Sequence, residues 1–347
     1  MSVFAKLFKN RFCCVAPRPN SVLLVETNGC HAEVMAGYIP YFQQMGFNVD
    51  CLLHDRVWRE RPFVRHDASK LRIYHTSNRG FNSCFRSPNL MQYKHIVVMS
   101  SVKHRTDKKY IPELYPDLMR HPSIFFVHHG VDLMMGYYAN TPNPIMLGRF
   151  KGAIFANPHL FGTVHTLPRN NITEFVVVGG IDARRKNHSL LINAIKDLDA
   201  AGFEFFVNII GDGRISELPD AVRRHVRILG HLDFDDMYDC VERSDFYLPL
   251  LDAENPDHER YITQQVTGSM QLVYGFACVP VVDKKFADFY DLNNKNAVLY
   301  SGDLAGAMQR AIEMSDDTYD KTRRVLTKTA TNIASETQEN FKRLFNV

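Results

Sequence analysis

The sequence lacks the features that mark several common classes of protein. Its 347 residues carry a formal net charge of only +3, so we do not expect a nucleic-acid-binding protein, in which basic residues cluster more strongly. The seven cysteines are odd in number and form no C-x-x-C pair, which argues against a disulfide framework and against a zinc site. No apolar run approaches the roughly 18–20 residues that span a bilayer. No G-x-G-x-x-G follows the first predicted strand, which disfavours a dinucleotide oxidoreductase.

The same absences favour a cytoplasmic protein, because unpaired cysteines suit a reducing compartment. The segment 1–14 has the pattern of an amphipathic helix. Apolar residues recur in it at helical spacing with basic residues between them: Phe4, Leu7, Phe8 and Phe12. A helix of this kind can lie on anionic lipid, and a short surface helix of the first domain has the same pattern. We therefore expect a cytoplasmic protein and leave peripheral contact with the inner face of a membrane open.

Apolar runs alternate with amphipathic segments through most of the chain. The pattern predicts a strand at Ser21–Val25, a helix at Ala32–Met45 and a strand at Asn48–Leu53. This βαβ order implies a parallel sheet. After a polar break at residues 167–171 the alternation resumes with the strand Phe175–Val178.

Two doubly wound, Rossmann-like α/β domains follow from this order. The first spans residues 1–168 and the second residues 169–347, which end in a helix predicted from about Asp316 to Phe345. Ligands of such folds bind beyond the carboxyl ends of the strands, so we expect the two domains to face a binding cleft. The stretch from Arg56 to Gln92 is poorly patterned, and loops of that length are often functional or mobile.

The most informative segment is VVVGGIDARRKN, residues 176–187. An apolar run ends in a glycine turn, three cations follow, and an amphipathic helix then begins. A helix start offers N–H groups and a positive dipole to anions, and Thr267-Gly268-Ser269 opens a later helix in the same way. N-capping and solvated surface charges are the alternative interpretation. We predict a diphosphate site formed by Gly180, Arg184, Arg185, Lys186, Thr267, Gly268 and Ser269.

Further turns of the second half follow predicted strands. Glycines at two of them permit a tight turn beside a ligand, and the loop 252–261 is dense in carboxylates, which accept two hydrogen bonds at once and suit ribose or sugar hydroxyls. Plain turns and a solvated loop are the alternatives. We take Glu254 as a catalytic candidate. Contacts to the nucleotide base and ribose are predicted for Gly211, Gly213, His231, Leu232 and Glu259.

Histidines at two strand ends of the first half are candidates for a general base. His31 lies between a strand and a helix, and His129 ends a later strand. Imidazole titrates near neutral pH, although a histidine is more often part of hydrogen-bonded structure, and we take His129 as the catalytic candidate. Asp233 and Asp235 form a D-x-D pattern directly before an amphipathic helix, so we interpret them as a helix cap and predict no metal.

Residues 176–314 resemble the donor-binding domain of GT-B glycosyltransferases, especially the retaining family often called glycosyltransferase family 4. The matching pieces stand in family order: Gly180, Lys186-Asn187-His188, Leu190-Leu191, Ala194, Ile210–Gly213, Leu229–His231, Met237-Tyr238, Ser244-Asp245, Pro249 and Cys278–Val282. In the first half, the loop of Asn28, Gly29 and His31 is similar to the family's acceptor-side loop. Ile181 stands where the family usually has arginine, and Val273 near its second glutamate.

The resemblance implies a metal-independent glycosyltransferase with no cofactor besides its co-substrate. It would move a sugar from a nucleotide-diphosphate donor to a glycan or lipid-linked acceptor, in the synthesis of surface polysaccharide or glycoconjugate. Lys186 and its neighbours would stabilise the negative charge that develops on the leaving diphosphate. Two alternatives stay open. One is a sugar-nucleotide epimerase on the same fold, and the other is a non-catalytic partner subunit, which the apolar Val273 favours.

Overall fold

The chain divides into two units. The computed structural model describes residues 12–29, 31–100, 109, 111–131, 141–150, 154–181, 184–213 and 218–347. One unit comprises Met1–Thr163 together with Ala334–Val347, and the other comprises Val164–Ile333. The boundary therefore lies a few residues before the predicted one at 168. The end of the C-terminal helix packs with the first unit, whereas the sequence placed it in the second.

The first unit is built on a parallel sheet whose seven described strands lie in the order β3-β2-β1-β4-β5-β6-β7. The strands are β1 (Ser21–Glu26), β2 (Asn48–His54), β3 (Leu71–Thr76), β4 (His95–Val98), β5 (Ile124–His128), β6 (Pro144–Met146) and β7 (Ile154–Phe155). The connecting helices are α1 (Ala32–Gln44), α2 (Asp55–Arg59), α3 (Asn78–Arg86) and α4 (Ile111–Leu114). Every residue of β1 is buried, as expected for a central strand of a parallel sheet covered on both faces.

The register of this sheet brings the carboxyl ends of its first strands to one edge. β1 pairs with β2 from Ser21 beside Asn48 to Glu26 beside Leu53, and β2 continues beside β3 to His54 opposite Thr76. β4 and β5 run in the same direction. The segments that follow β1 to β5 therefore start at the edge where ligands of such sheets bind.

The second unit repeats this architecture with a parallel sheet of six described strands, in the order β10-β9-β8-β11-β12-β13. The strands are β8 (Glu174–Val178), β9 (Phe206–Ile210), β10 (Val226–Gly230), β11 (Phe246–Tyr247), β12 (Val279–Asp283) and β13 (Val298–Tyr300). The helices are α5 (His188–Ala200), α6 (Asp220–Arg223), α7 (Phe234–Arg243), α8 (Arg260–Thr263), α9 (Gly268–Phe276), α10 (Lys284–Ala287), α11 (Leu304–Ile312) and α12 (Asp316–Phe345).

Aromatic packing explains why the end of α12 belongs to the first unit. Phe341 is fully buried, and its ring stacks on Phe42 of α1 with centroids 5.2 Å apart. One helical turn later, Phe345 lies 4.3 Å from Phe125 of β5, centroid to centroid. Burial of two large rings stabilises this docking by several kcal/mol, at about 1.5–3 kcal/mol for each fully buried side chain.

The poorly patterned stretch from Arg56 to Gln92 is not a long loop. It holds α2, β3 and α3 in addition to short 3-10 turns. β3 lies at the edge of the sheet, where only one neighbour shields it, and its sequence LRIYHT therefore carries half-buried polar side chains such as Arg72 and His75. These polar positions hid the strand from the pattern of apolar runs.

The predicted amphipathic helix at residues 1–14 falls mostly outside the described residues. Its last described part, Phe12–Cys14, is a single 3-10 turn. The Phe12 side chain is buried between Tyr74 and Tyr93, at centroid distances of 5.3 and 6.0 Å. Phe12 is thus a core residue and not part of an exposed apolar face. In the part of the chain that the structure describes, no helix is both long and apolar enough to cross a membrane.

Candidate functional site

Two glycine turns pack against each other at the carboxyl edge of the second sheet. Gly179, after β8, has a φ of 130°, and Gly211, after β9, has a φ of 149°. A Cβ atom at Gly211 would lie 2.1 Å from the carbonyl oxygen of Gly179, so only glycine permits this approach. The predicted Gly180 has no such constraint: a Cβ there would come no closer than 3.8 Å to Asp212. The conformational requirement falls on Gly179.

Lys186 reaches back from the following loop into the same edge. The side chain is buried, with 4% of the residue exposed, and its Cε atom lies against Gly179, where a Cβ would come within 2.9 Å. The Nζ atom donates to Ser269 Oγ at 3.0 Å and to the Pro249 carbonyl oxygen at 3.0 Å. Burial lowers the pKa of Lys186 to about 7, because a low-dielectric environment disfavours the charged form.

The start of α9 lies open beside this lysine. Thr267 is the N-cap, and its hydroxyl oxygen accepts from the Ser269 backbone N–H at 3.3 Å, so the capping interpretation is correct for Thr267. Gly268 is exposed, and a Cβ atom there would meet nothing within 4 Å. The structure thus brings Lys186 and Ser269 together at an accessible helix N-terminus. Such a terminus favours anions through its N–H groups and dipole.

The other two cations of the basic loop are not part of this cluster. Arg184 and Arg185 are both exposed, and the Arg184 carbonyl oxygen accepts from Arg260 Nη2 at 2.8 Å. Residues 182–183, between the glycine turn and these arginines, lie outside the described residues. Contact of Arg184 or Arg185 with a diphosphate stays a prediction.

The acidic loop after β11 is held by its own first carboxylate. Asp252 accepts from Asn187 Nδ2 at 2.6 Å and from the Glu254 backbone N–H at 2.9 Å. Its own backbone N–H donates to Nδ1 of the buried His258 at 2.8 Å, and burial lowers the pKa of His258. Glu254 is exposed, and Glu259 forms an ion pair with Lys285 at 2.9 Å. A catalytic role of Glu254 stays a prediction.

The residues predicted to contact the base and ribose lie on turns at the same sheet edge. The Gly211 N–H donates to the carbonyl oxygen of Gly230 at 2.8 Å, directly before His231. Gly213 has a φ of 129° and packs on Ile181, where a Cβ would come within 2.7 Å. His231 is exposed, and Leu232 is half-buried. The structure places these turns next to one another. Their contact with a nucleotide stays a prediction.

The predicted D-x-D pattern is a helix cap. Asp233 Oδ1 accepts from the Asp236 backbone N–H at 3.1 Å at the start of α7, as the sequence indicated. Among the residues that the structure describes, no group of three or more histidine, cysteine and acidic side chains stands close enough to hold a metal ion.

In the first unit, the loop after β1 is tied to a buried carboxylate. Glu26 is fully buried at the end of β1 and accepts from the Asn28 backbone N–H at 2.7 Å and from Ser100 Oγ at 2.5 Å. Burial raises the pKa of Glu26 to about 8, so the carboxyl is largely protonated at neutral pH. Glu26 fixes Asn28 of the predicted acceptor-side loop. The sequence does not reveal this role, because Glu26 directly follows the apolar strand predicted at Ser21–Val25.

The two candidate histidines of this unit are in contact. The His31 and His129 rings lie 4.3 Å apart, centroid to centroid, in an edge-to-face arrangement, although almost a hundred residues separate them in sequence. His31 adopts a left-handed conformation with a φ of 68° at the N-cap of α1. Its Nδ1 atom lies 3.1 Å from Glu33 Oε1.

The surroundings of these groups distinguish their chemistry. Burial, and then the neighbouring charge of His31, lower the pKa of His129 to about 3. Burial acts to raise the pKa of Glu33, but the hydrogen bond and charge of His31 outweigh it, and the net shift is downward. Glu33 is therefore ionised and orients the His31 ring, whereas His129 is neutral and a weak proton acceptor. These surroundings favour His31 over the predicted His129 as a base, and a catalytic role of either residue stays a prediction.

The fold is similar to solved glycosyltransferase structures at low sequence identity. AviGT4, a glycosyltransferase involved in avilamycin A biosynthesis, matches with a TM-score of 0.58 at 13% identity, over 94% of this chain and 98% of that chain. A glycosyltransferase from Rickettsia africae ESF-5 matches with a TM-score of 0.54 at 11% identity, over 94% and 98%. No family model and no curated protein matches the sequence. The likeness confirms the predicted fold class, two Rossmann-like α/β domains.

Proposed function

We propose that the protein is a glycosyltransferase whose second unit binds the diphosphate of a nucleotide-sugar donor. One observation carries the proposal: the buried Lys186 ammonium lies 3.0 Å from Ser269 Oγ at the open start of α9. A buried cation, a hydroxyl and the accessible N-terminus of a helix form a site for a diphosphate. The fold that the chain shares with solved glycosyltransferases, and the family 4 likeness of residues 176–314, support the reaction class.

The same groups supply what the reaction needs from the donor side. When the bond between the anomeric carbon and the diphosphate oxygen breaks, the bonding electrons stay on that oxygen. Preorganised donors aimed at such a charge are typically worth about 3–4 kcal/mol each. Lys186 and the N–H groups of α9 would provide this stabilisation, and we propose that transfer needs no metal ion. Arg184 or Arg185 would add to it if the donor draws the exposed loop inward.

We assign the first unit to the acceptor and His31 to the base. An acceptor hydroxyl would give its proton to His31 Nε2 while its oxygen forms the new bond to the anomeric carbon. Glu33, at 3.1 Å from Nδ1, would stabilise the imidazolium that results. Direct displacement assisted by a base inverts the anomeric configuration, whereas the family that residues 176–314 resemble retains it. Val273 stands near that family's second glutamate, and we take this departure as consistent with inversion. The proposed acceptor is a glycan or lipid-linked glycan, and the proposed setting is cytoplasmic, in surface polysaccharide or glycoconjugate synthesis.

Binding of nucleotides tests the proposal. We expect one member of a panel of UDP, GDP, CMP and ADP, each with and without its sugar, to raise the melting temperature. At a hundred times the dissociation constant, a ligand stabilises the fold by about 2.7 kcal/mol. Lys186→Met, which keeps most of the length of the buried side chain without its charge, should abolish the shift. Lys196→Gln, which removes an exposed cation on α5, is the matched control and should keep the shift.

The outcomes separate the alternatives. A non-catalytic partner subunit that has lost the site would bind none of the panel, and the donor assignment would then fail. An epimerase would convert the nucleotide sugar with no acceptor present, which chromatography of the nucleotide sugars detects. A transferase consumes the donor rapidly only when an acceptor is added, since its site limits donor hydrolysis.

A further inference from the structure

A group of polar and aromatic side chains at the carboxyl edge of the first sheet has no part in the chemistry proposed above. α2 begins where β2 ends, and the His54 ring caps it by accepting from the Arg56 backbone N–H at 3.1 Å. The helix therefore starts at the same sheet edge as the loop of Asn28 and Gly29, which follows the neighbouring strand β1.

Trp58 of α2 forms a fixed aromatic surface at this edge. Its indole stacks on the imidazole of His75 with centroids 5.3 Å apart and 11° between the planes. His75 is in turn held by Asp55, since Nδ1 and Oδ1 are 2.6 Å apart. Trp58 nevertheless stays partly exposed. An indole held in one orientation by a polar pair, and left accessible to solvent, has the properties of a ligand platform more than of a core residue.

Arg56 joins this platform to the loop that precedes His31. Its Cδ atom would lie 3.2 Å from a Cβ at Gly29, so the side chain packs directly over that glycine. The Arg56 side chain is exposed. Arg56 thus lies on the β1 side of α2, and Trp58 on the β3 side, where His75 is. Adjacent strands are about 4.8 Å apart, so the edge from β1 to β3 is about 10 Å wide.

We propose that Trp58, His75 and Arg56 form a subsite for the sugar that precedes the reacting sugar of an oligosaccharide acceptor. The inference rests on the proposed function and names the substrate class: a chain of two or more sugars, not a monosaccharide. The apolar C–H face of a pyranose ring stacks on the indole, and its hydroxyls accept from the Arg56 guanidinium. The reacting hydroxyl lies one sugar further along the edge, towards His31.

The single tryptophan of the chain makes this subsite directly observable. Fluorescently labelled full-length protein is applied to an array of mono-, di- and longer saccharides, and the saccharides that bind are titrated while Trp58 emission is recorded on unlabelled protein. We expect binding to saccharides of two or more units, with a change in Trp58 emission, and binding at least about tenfold weaker for the corresponding monosaccharide.

Variants locate the binding. Trp58→Leu should weaken binding about tenfold by calorimetry, whereas Trp58→Phe, which keeps an aromatic face, should lose only part of it. Arg59→Gln, on the exposed neighbour of Trp58, is the matched control and should bind like the wild type. His75→Gln removes the stacking partner and keeps a polar side chain, so weaker binding by this variant supports the platform even if Trp58→Leu does not fold.

The donor variant keeps the two proposals apart. Lys186→Met should bind the saccharide normally, and loss of saccharide binding in that variant would place the sugar at the donor site and overturn the inference. A protein that binds a nucleotide sugar but no arrayed saccharide, or one that binds saccharides without any change in Trp58 emission, overturns the subsite and leaves the donor assignment intact. Saccharide binding at Trp58 without nucleotide binding would show a saccharide site, but it would overturn the assignment of that site to an acceptor because the transferase proposal would fail.

Discussion

Donor binding should weaken as the pH rises, because the lysine that we place at the diphosphate loses its charge near neutral pH. Burial lowers the pKa of Lys186 to about 7 in the free protein, and a bound diphosphate would raise it again by favouring the charged form. Well below pH 7 the lysine is charged before the donor arrives, and affinity has its full value. Above pH 7 binding must take up a proton, so affinity falls about tenfold per pH unit, or about 1.4 kcal/mol.

Isothermal titration calorimetry at pH 6 and pH 8 measures this effect. The ligand should be a nucleotide sugar, since its diphosphate carries no terminal phosphate group with a pKa of about 6 to complicate the comparison. We expect affinity about tenfold weaker at pH 8, with uptake of about one proton, obtained from two buffers of different ionisation enthalpy. Lys196→Gln should keep this dependence, and Lys186→Met should show no measurable binding at either pH. Equal wild-type affinity at both pH values would refute the placement of Lys186 at the diphosphate.

Three further predictions concern the turns, the docked helix and the base. Gly211→Ala should destabilise the protein by at least about 1–3 kcal/mol in urea unfolding. The backbone of Gly211 has a positive φ, and a Cβ there would lie 2.1 Å from the carbonyl oxygen of Gly179. An unchanged unfolding midpoint would contradict this geometry. Phe341→Ala should cost about 3–5 kcal/mol by the same measurement, and a loss under 1 kcal/mol, well below that range, would show that the ring is not buried. His31→Ala should lower kcat about 10²–10⁴-fold, and Glu33→Gln should lower it less. The product of the wild-type enzyme should have the inverted anomeric configuration by NMR. A retained configuration would exclude His31 as the base of a direct displacement.

Long periodic segments of this fold could be predicted from the sequence, and elements at its edges could not. The helix at Asp316–Phe345 and the strand–turn–helix after Phe175 follow from apolar spacing, which reflects burial of one face. β3 was not predicted, because an edge strand needs few apolar residues. The packing of the end of α12 with the first unit was not predicted either. Phe341 and Phe345 indicate a buried helix face, but the sequence does not show which unit buries it.

The candidate site divides in the same way. Convergence of Lys186 and Ser269 could be expected because both follow strands of one parallel sheet, whose carboxyl ends meet at one edge. The preference for His31 over His129 as the base could not be predicted, since it depends on burial and on a side-chain contact between distant parts of the chain. The stack of Trp58 on His75 depends on a strand that the sequence pattern did not reveal.

A crystal structure with the nucleotide sugar that gives the largest thermal shift tests the central claim most directly. We predict a diphosphate oxygen at about 3 Å from Lys186 Nζ and a second phosphate oxygen at the N–H groups that open α9, within ordinary hydrogen-bond distances. A nucleotide bound elsewhere, with Lys186 still donating only to Ser269 and Pro249, would contradict the account.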